Sequence, residues 1–267
     1  SQALKNAIDD AKEKVSKIEL VRYALSNVTN KAYVMQNWNV ANNVWSLAIP
    51  TGATLSQTKD AFGEKYLLKD GGFKALKGAK NDYIFENNKD EATAMYFEYK
   101  VTLDANKFKN AAGELMPADF QDGTFYRYNN VIYKSFADIY KAYNDVAGLF
   151  GGKTANQMKD EVKAAKTAPT AEGEPTVESK LDNFRQTYQI EVFNCGKTYY
   201  KQAIKDQYIG YENAIQRNSI YRLTVNNIFN VGAQVPNGTP DKEGLFYLDV
   251  TVSVNPWVLN TQNVDFK

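Results

Sequence analysis

The sequence predicts a mainly β fold, a β-sandwich with helices inserted between its strands. Three observations carry this. LDVTVSVN alternates without a break: Leu248, Val250, Val252 and Val254 take one side, and Asp249, Thr251, Ser253 and Asn255 take the other. That is the period of a strand with one buried face. TAMYFEYKVTL at 93–103 repeats the pattern, with Thr93, Met95, Phe97, Tyr99, Val101 and Leu103 on one side and Glu98 and Lys100 on the other. Finally, the β-prone runs are short and separated by turn chemistry, whereas only two or three stretches carry helical spacing.

Along the chain, Leu4, Ala7, Ala11, Val15 and Ile18 predict an amphipathic helix over 3–18, with Lys5, Asp9, Lys12 and Glu13 on its wet side. IELVRYAL reads as a short extended piece. Residues 36–60 read as loop from their Asn, Thr, Ser and Gly content, and 63–82 as irregular. In TFYRYNNVIYKS, Asn129-Asn130 between two aromatic and β-branched runs predicts a two-residue hairpin. Ser135 and Asp138 form a capping pair before a stripe of Phe136, Ile139, Tyr140, Tyr143 and Ala147, which Gly151-Gly152 is expected to end. Thr154 and Gln157 cap a further helix, QMKDEVKAAK. TAPTAEGEPT, with two prolines, predicts an exposed loop, and 151–180 is expected to be a flexible insertion. TYQIEVF and KTYYKQAI flank Asn194-Cys195-Gly196 as strand, turn, strand. In IYRLTVNNIF, Tyr221, Leu223, Val225 and Phe229 share a face. No repeat of solenoid length is visible.

Composition narrows function mainly by exclusion. The chain has 267 residues, with 32 Lys and Arg against 31 Asp and Glu. That near-neutral balance argues against nucleic acid as a partner. Histidine is absent, which removes Ser-His-Asp and Cys-His catalysis and every metal site that uses imidazole. Cys195 is the one cysteine, so no disulfide forms within the chain, and its expected role is that of an inert small apolar residue. No apolar run approaches a membrane span. The start at SQALKNAIDD, without an initiator methionine, predicts a processed or excised piece.

The candidate chemical motifs are weak. GGKTAN at 151–156 misses the phosphate-loop pattern because Ala147 stands where a glycine is required. Asp9 and Asp10 read as a surface pair, and Glu172 and Glu174 lie in the predicted loop, so neither pair suits acid–base hydrolysis. DGTF at 122–125 lacks the alternating oxygen ligands of a calcium loop. Trp38 and Trp45 in NWNVANNVW match a sugar-stacking patch in composition only. Nothing in these spacings points to an enzyme, a cofactor or a metal.

Three stretches in order carry a resemblance: ENNKDEATAMYFEYKVTL at 86–103, FNCGKTYYKQAI at 193–204 with IQRNSIYRLTVNNI at 215–228, and VTVSVNPWVLNTQNVDF at 250–266. Together they resemble the fimbrillins of the Bacteroidales, type V pilins, and most of all the major-subunit class of the short (minor) fimbria. The resemblance covers residue 86 to the end and is weaker over 18–45. It implies a transthyretin-like β-sandwich. It also implies export as a lipoprotein precursor, proteolytic removal of a first strand at the surface, and a fimbrium built by strand exchange. The implied partners are neighbouring subunits, ancillary and anchor fimbrial proteins, and receptors on host or bacterial surfaces. The implied roles are adhesion, coaggregation and biofilm formation. The close is VDFK where the family tends to VDL.

On this basis the expected organisation has three parts: 1–17 as a helix or the remnant of a preceding domain, 18–256 as the carboxy-terminal fimbrillin sandwich, and 257–267 as a donor tail. Pro256 lacks an N–H and is the expected hinge. In the tail, Val258, Val264 and Phe266 share one parity, and Trp257 and Leu259 share the other. Burial of three such side chains contributes roughly 5–9 kcal/mol before ordering costs. The residues alone leave two arrangements open, a tail resident in its own sandwich or one donated to the next subunit; the resemblance favours donation. An ancillary tip adhesin or glycan-binding outer-membrane protein is the alternative, supported by the Tyr- and Trp-bearing segments at 33–48 and 125–143.

Overall fold

A computed structural model of the chain describes residues 2–26, 37–39, 44–46, 74–75, 84, 93–143, 148–204, 215, 219–236 and 248–256. Helix α1 (Gln2–Lys14) runs into the long strand β1 (Val15–Ser26). Short strands β2 (Asn37–Asn39), β3 (Val44–Ser46) and β4 (Lys74–Ala75) precede β5 (Ala94–Leu103), β6 (Phe125–Tyr128) and β7 (Val131–Tyr133). Three helices follow, α2 (Phe136–Ala142), α3 (Ala155–Lys166) and α4 (Val177–Tyr188). The chain then returns to strands: β8 (Glu191–Phe193), β9 (Lys197–Ala203), β10 (Ser219–Ile228) and β11 (Leu248–Pro256).

The fold is mainly β. One antiparallel sheet has the order β4-β1-β5-β9 and a second the order β7-β6-β8; β10 and β11 form a two-stranded ribbon, and β2 and β3 a small hairpin. The ribbon lies over the first sheet. Leu223, Val225, Ile228 and Val250 pack on Tyr23, Phe97, Tyr99 and Tyr200. Tyr221, Leu223 and Val252 pack on Leu25, Ile204 and Ile215. The second sheet is buried on both faces, as the alternation in β6 requires. Tyr126 and Tyr128 face the helices, among Phe136, Ile139, Met158, Val162, Leu181 and Phe184. Phe125 faces the other way and stacks on Phe193 at 4.6 Å.

Local chemistry explains the turns. Asn129 and Asn130 both adopt positive φ, 47° and 64°, so the predicted hairpin closes through left-handed residues with Tyr128 opposite Val131. Ser135 accepts a hydrogen bond from the Asp138 amide and starts α2. Thr154 and Gln157 form the full reciprocal capping box of α3. Within the stretch expected to be a flexible insertion, α3 buries Met158 and Val162 completely, and 167–176 is exposed throughout.

Several expectations give way to the structure. The first helix ends at Lys14 rather than 18, because Val15 and Ile18 belong to β1, where β-branched residues fit a pleated surface. The region 36–60 is not all loop: β2 and β3 place Trp38 opposite Trp45. Lys74–Ala75, within the stretch expected to be irregular, is β4. Helix α2 stops at Ala142, and Tyr143 is extended with φ −127°. The Tyr143 hydroxyl instead accepts from Asn129 Nδ2 at 3.0 Å, and its ring meets Tyr128; Ala147 lies outside the described residues. Helix α4 was not expected, although Leu181, Phe184 and Tyr188 have helical spacing and Thr176 caps it by accepting from Ser179 N.

Asn194-Cys195-Gly196 is the expected turn between two strands, a 3-10 turn that carries the chain from the second sheet to the first. Cys195 takes a left-handed conformation (φ 54°), and Gly196 (φ 74°) sits so close to β5 that a Cβ there would lie 2.6 Å from the Val101 carbonyl oxygen. Glu98, expected on a wet face, is 1% exposed. It lies on a central strand between Arg22 and Tyr199 and pairs with Arg22 Nη2 at 2.6 Å. Burial and the Glu98 charge together push the Tyr199 hydroxyl pKa far up.

Candidate assembly interface

The ribbon runs in register from Ser219 opposite Pro256 to Ile228 opposite Leu248. The predicted alternation of β10 holds through Tyr221, Leu223 and Val225. A bulge between Val225 and Asn227 then shifts the parity, so Ile228 turns inward and Phe229, expected inward, is 39% exposed. The outer face is polar, with Arg222, Thr224, Asn226 and Thr251 exposed and Asn226 Nδ2 donating to Thr251 Oγ1 at 2.7 Å. Ile220, near the Pro256 end, is an exposed apolar exception.

Directly after the ribbon's first strand, residues 230–235 thread between the two sheets. Asn230 O accepts from the Tyr200 hydroxyl at 2.7 Å. Arg127, on the Phe125 face of β6, donates to the carbonyls of Val231 at 2.7 Å and Gly232 at 3.1 Å. The same guanidinium grips Glu191 of β8 through Nε and Nη2. This fork-shaped pairing suits Arg and not Lys. Ala233 exchanges both main-chain hydrogen bonds with Tyr199, each 2.9 Å. Gln234 accepts from Val192 N and donates to Leu181 O at 3.2 Å. The inner end of β10 is therefore bolted to both sheets and to α4.

This bolt also seals strand edges. An exposed edge offers unpaired N–H and C=O groups to any passing strand. Ala233 covers the edge of β9 and the Gln234 amide covers that of β8. On β7, Ile132 N donates to Asp10 Oδ2 at 2.8 Å, and Ile132 O accepts from Lys14 Nζ at 2.9 Å. Asp10, expected in a surface pair with Asp9, is thus half-buried and engaged. β1 pairs with β4 at Arg22 and Tyr23, and further along it carries the exposed pair Lys17–Glu19 at 2.7 Å. Among the described residues, β10 and β11 pair with each other and with no further strand.

Pro256 is the last residue of β11. The expected donor residues Trp257, Val258, Leu259, Val264 and Phe266 lie outside the described residues. The residues that anchor the interface, Arg127, Glu191, Gly232 and Gln234, were not singled out from the sequence. Their partners lie about forty to a hundred positions away, so no local spacing marks them.

A polar knot lies beside the sheet crossing. Lys166 Nζ donates to Asp122 Oδ2 at 2.5 Å and to Thr124 Oγ1 at 2.7 Å, while Cys195 N donates to the same Thr124 oxygen at 3.0 Å. Burial pushes the Asp122 carboxyl up, but hydrogen bonds from Lys166 and Thr124 outweigh it and bring it to about 2. The Cys195 thiol is raised, first by burial and then by the Asp122 charge. A raised thiol pKa disfavours the reactive thiolate. Among the described residues no group of three or more acidic or sulfur ligands converges on a metal site, and no helix is long and apolar enough to cross a membrane.

The geometry defines a β protein whose closing ribbon is held at one end by residues 230–235 and, among the described residues, pairs with no further strand. Residues 191–263 match the family model described as major fimbrial subunit protein type IV, fimbrillin, C-terminal. The match begins at β8, spans the crossing, the bolt and the ribbon, and continues past Pro256. Over those residues it supports a fimbrillin C-terminal domain, and with it a structural role in a fimbria. No curated protein matches the chain.

Proposed function

We propose that the chain is the polymerising subunit of a bacterial fimbria and that it works by strand exchange through its carboxy-terminal strand. The supporting observation is the β10–β11 ribbon: core-facing on one side, bolted at 230–235, and unpaired along its edges among the described residues. Pro256 ends β11 opposite Ser219, at the end of the ribbon away from the bolt. There it acts as the hinge from which 257–267 leaves for the neighbouring subunit. The donated strand supplies a row of main-chain hydrogen bonds, and Trp257, Val258, Leu259, Val264 and Phe266 fill pockets according to parity. Head-to-tail contacts of this kind do not close on themselves and so make a filament.

The finer expectations belong to this proposal: a short-fimbria type V pilin of the Bacteroidales, exported as a lipoprotein precursor, meeting ancillary and anchor proteins, and supporting adhesion, coaggregation and biofilm formation. A second reading, a tip adhesin or glycan-binding protein, draws on the Trp38–Trp45 pair and on the Tyr128–Tyr143 cluster behind the Asn129-Asn130 turn.

The test is deletion of 257–267. The truncated chain is expected to fold, with unchanged amide protection in β10 and β11, and to be absent from fimbriae. Incorporation at the normal level would remove the donor assignment. Saturable binding of a glycan by the truncated chain would favour the second reading.

A further inference from the structure

The β7 edge is closed in an unusual way. Residues 131 and 133 bond inward to β6, and Ile132 between them turns both its N–H and its C=O outward. A neighbouring strand would take up that pair of groups with one C=O and one N–H. Here Asp10 supplies the acceptor and Lys14 the donor, and the two are themselves paired at 2.6 Å across one turn of α1. Two side chains of a helix therefore stand in for a strand.

The described side chains that α1 buries fully are small, Ala7 and Ala11, with Ile8 half-buried. Ala11 packs with Phe108 and Ile132, both almost fully buried. The other two covers, Ala233 and Gln234, belong to a segment bolted by Arg127. α1 is not gripped by Arg127; Glu13 pairs with Lys107 at 3.7 Å, the Lys14 carbonyl accepts from Asp104 N at 2.8 Å, and the helix continues directly into β1.

We propose that α1 is a releasable guard over a latent pairing edge, and that the edge's partner is the β7 edge of a second copy. An antiparallel edge is self-complementary about a two-fold axis. With the axis at Ile132, each Ile132 gives its N–H to the other's C=O, and Val131 comes opposite Tyr133 of the second copy. Phe108 and Ile132, uncovered by the departing Ala11, are covered again in the pair. Such a pair is closed and cannot extend, so the guard keeps subunits from a dead-end dimer. This inference rests on the α1–β7 geometry and holds whether or not the ribbon donates a strand.

The test uses the full chain carrying Asp10→Ala and Lys14→Ala, with hydrogen exchange at the Ile132 amide and sedimentation velocity across a concentration series. At low concentration the Ile132 amide is expected to exchange at least tenfold faster than in the wild type. At high concentration it is expected to regain protection as a dimer appears, while in the wild type exchange at Ile132 does not change with concentration. Lys14→Met keeps the alkyl stem over Phe108 and Tyr133 and is read in the same way if the double variant does not fold. Wild-type exchange at Ile132 in a folded variant overturns the guard. A variant that stays monomeric, or a dimer that leaves Ile132 unprotected, overturns the partner.

Discussion

Gly232 is the position where a single methyl group should do the most damage. A Cβ there would lie 2.8 Å from Tyr200 Cε1, and closer still to the Tyr199 carbonyl oxygen, which is backbone and cannot rotate away. The fault is close approach rather than a left-handed φ, since Gly232 is absent from the positive-φ glycines. Relief requires the 230–235 segment to move off β9. That loses the Tyr199–Ala233 exchange, two main-chain bonds at about 1 kcal/mol each. Overpacking strain in what remains adds ~1–3 kcal/mol. Gly232→Ala is therefore expected to cost about 3–5 kcal/mol in urea unfolding, by the net bond value and the strain term together. The amides of Tyr199 and Ala233 should lose protection before those of β5. Gly148→Ala is the control, because a Cβ there meets nothing within 4 Å. Its effect should stay within about 1 kcal/mol and lean towards stabilisation through the unfolded chain. A Gly232→Ala protein as stable as the Gly148→Ala protein, with Tyr199 and Ala233 still protected, would refute the close-packing account of the bolt.

Arg127→Met should cost about 3–5 kcal/mol, the range for a buried ion pair broken on one side. Adding Glu191→Leu should recover part of that loss; no recovery in urea titrations would mean the carbonyls of Val231 and Gly232 matter more than Glu191. Asp122, held at about 2 in the fold, contributes stability that is complete above the ordinary carboxylate pKa and lost as pH falls through about 2. A carboxyl-carbon titration should place its midpoint there and move it upward in Lys166→Met; an ordinary midpoint in the wild type would discount the Lys166–Asp122 pair.

Much of the local structure was legible. The Asn129-Asn130 turn, the Thr154–Gln157 box and the alternation of 248–255 each depend on residues within a few positions of one another. A chain segment can express such preferences alone. The misses have equally local causes. Val15 and Ile18, three apart, have helical spacing; the pairing with β5 makes them strand, and a bulge between Val15 and Lys17 lets both pack inward. One bulged residue after Val225 reversed the side taken by everything beyond it, which strict alternation cannot foresee.

By itself the sequence determined the β class, most turns and caps, and the absence of histidine chemistry. Tertiary structure decided what closes each edge. Asp10 and Lys14 meet Ile132, Gln234 meets Val192, and Arg127 meets Val231, Gly232 and Glu191 across separations that no local spacing encodes. The physical reason is that main-chain N–H and C=O groups at an edge have no sequence signature; every residue but proline carries both. Which side chain comes to satisfy them is set by how the layers stack, and so is which edge is left to pair with another molecule.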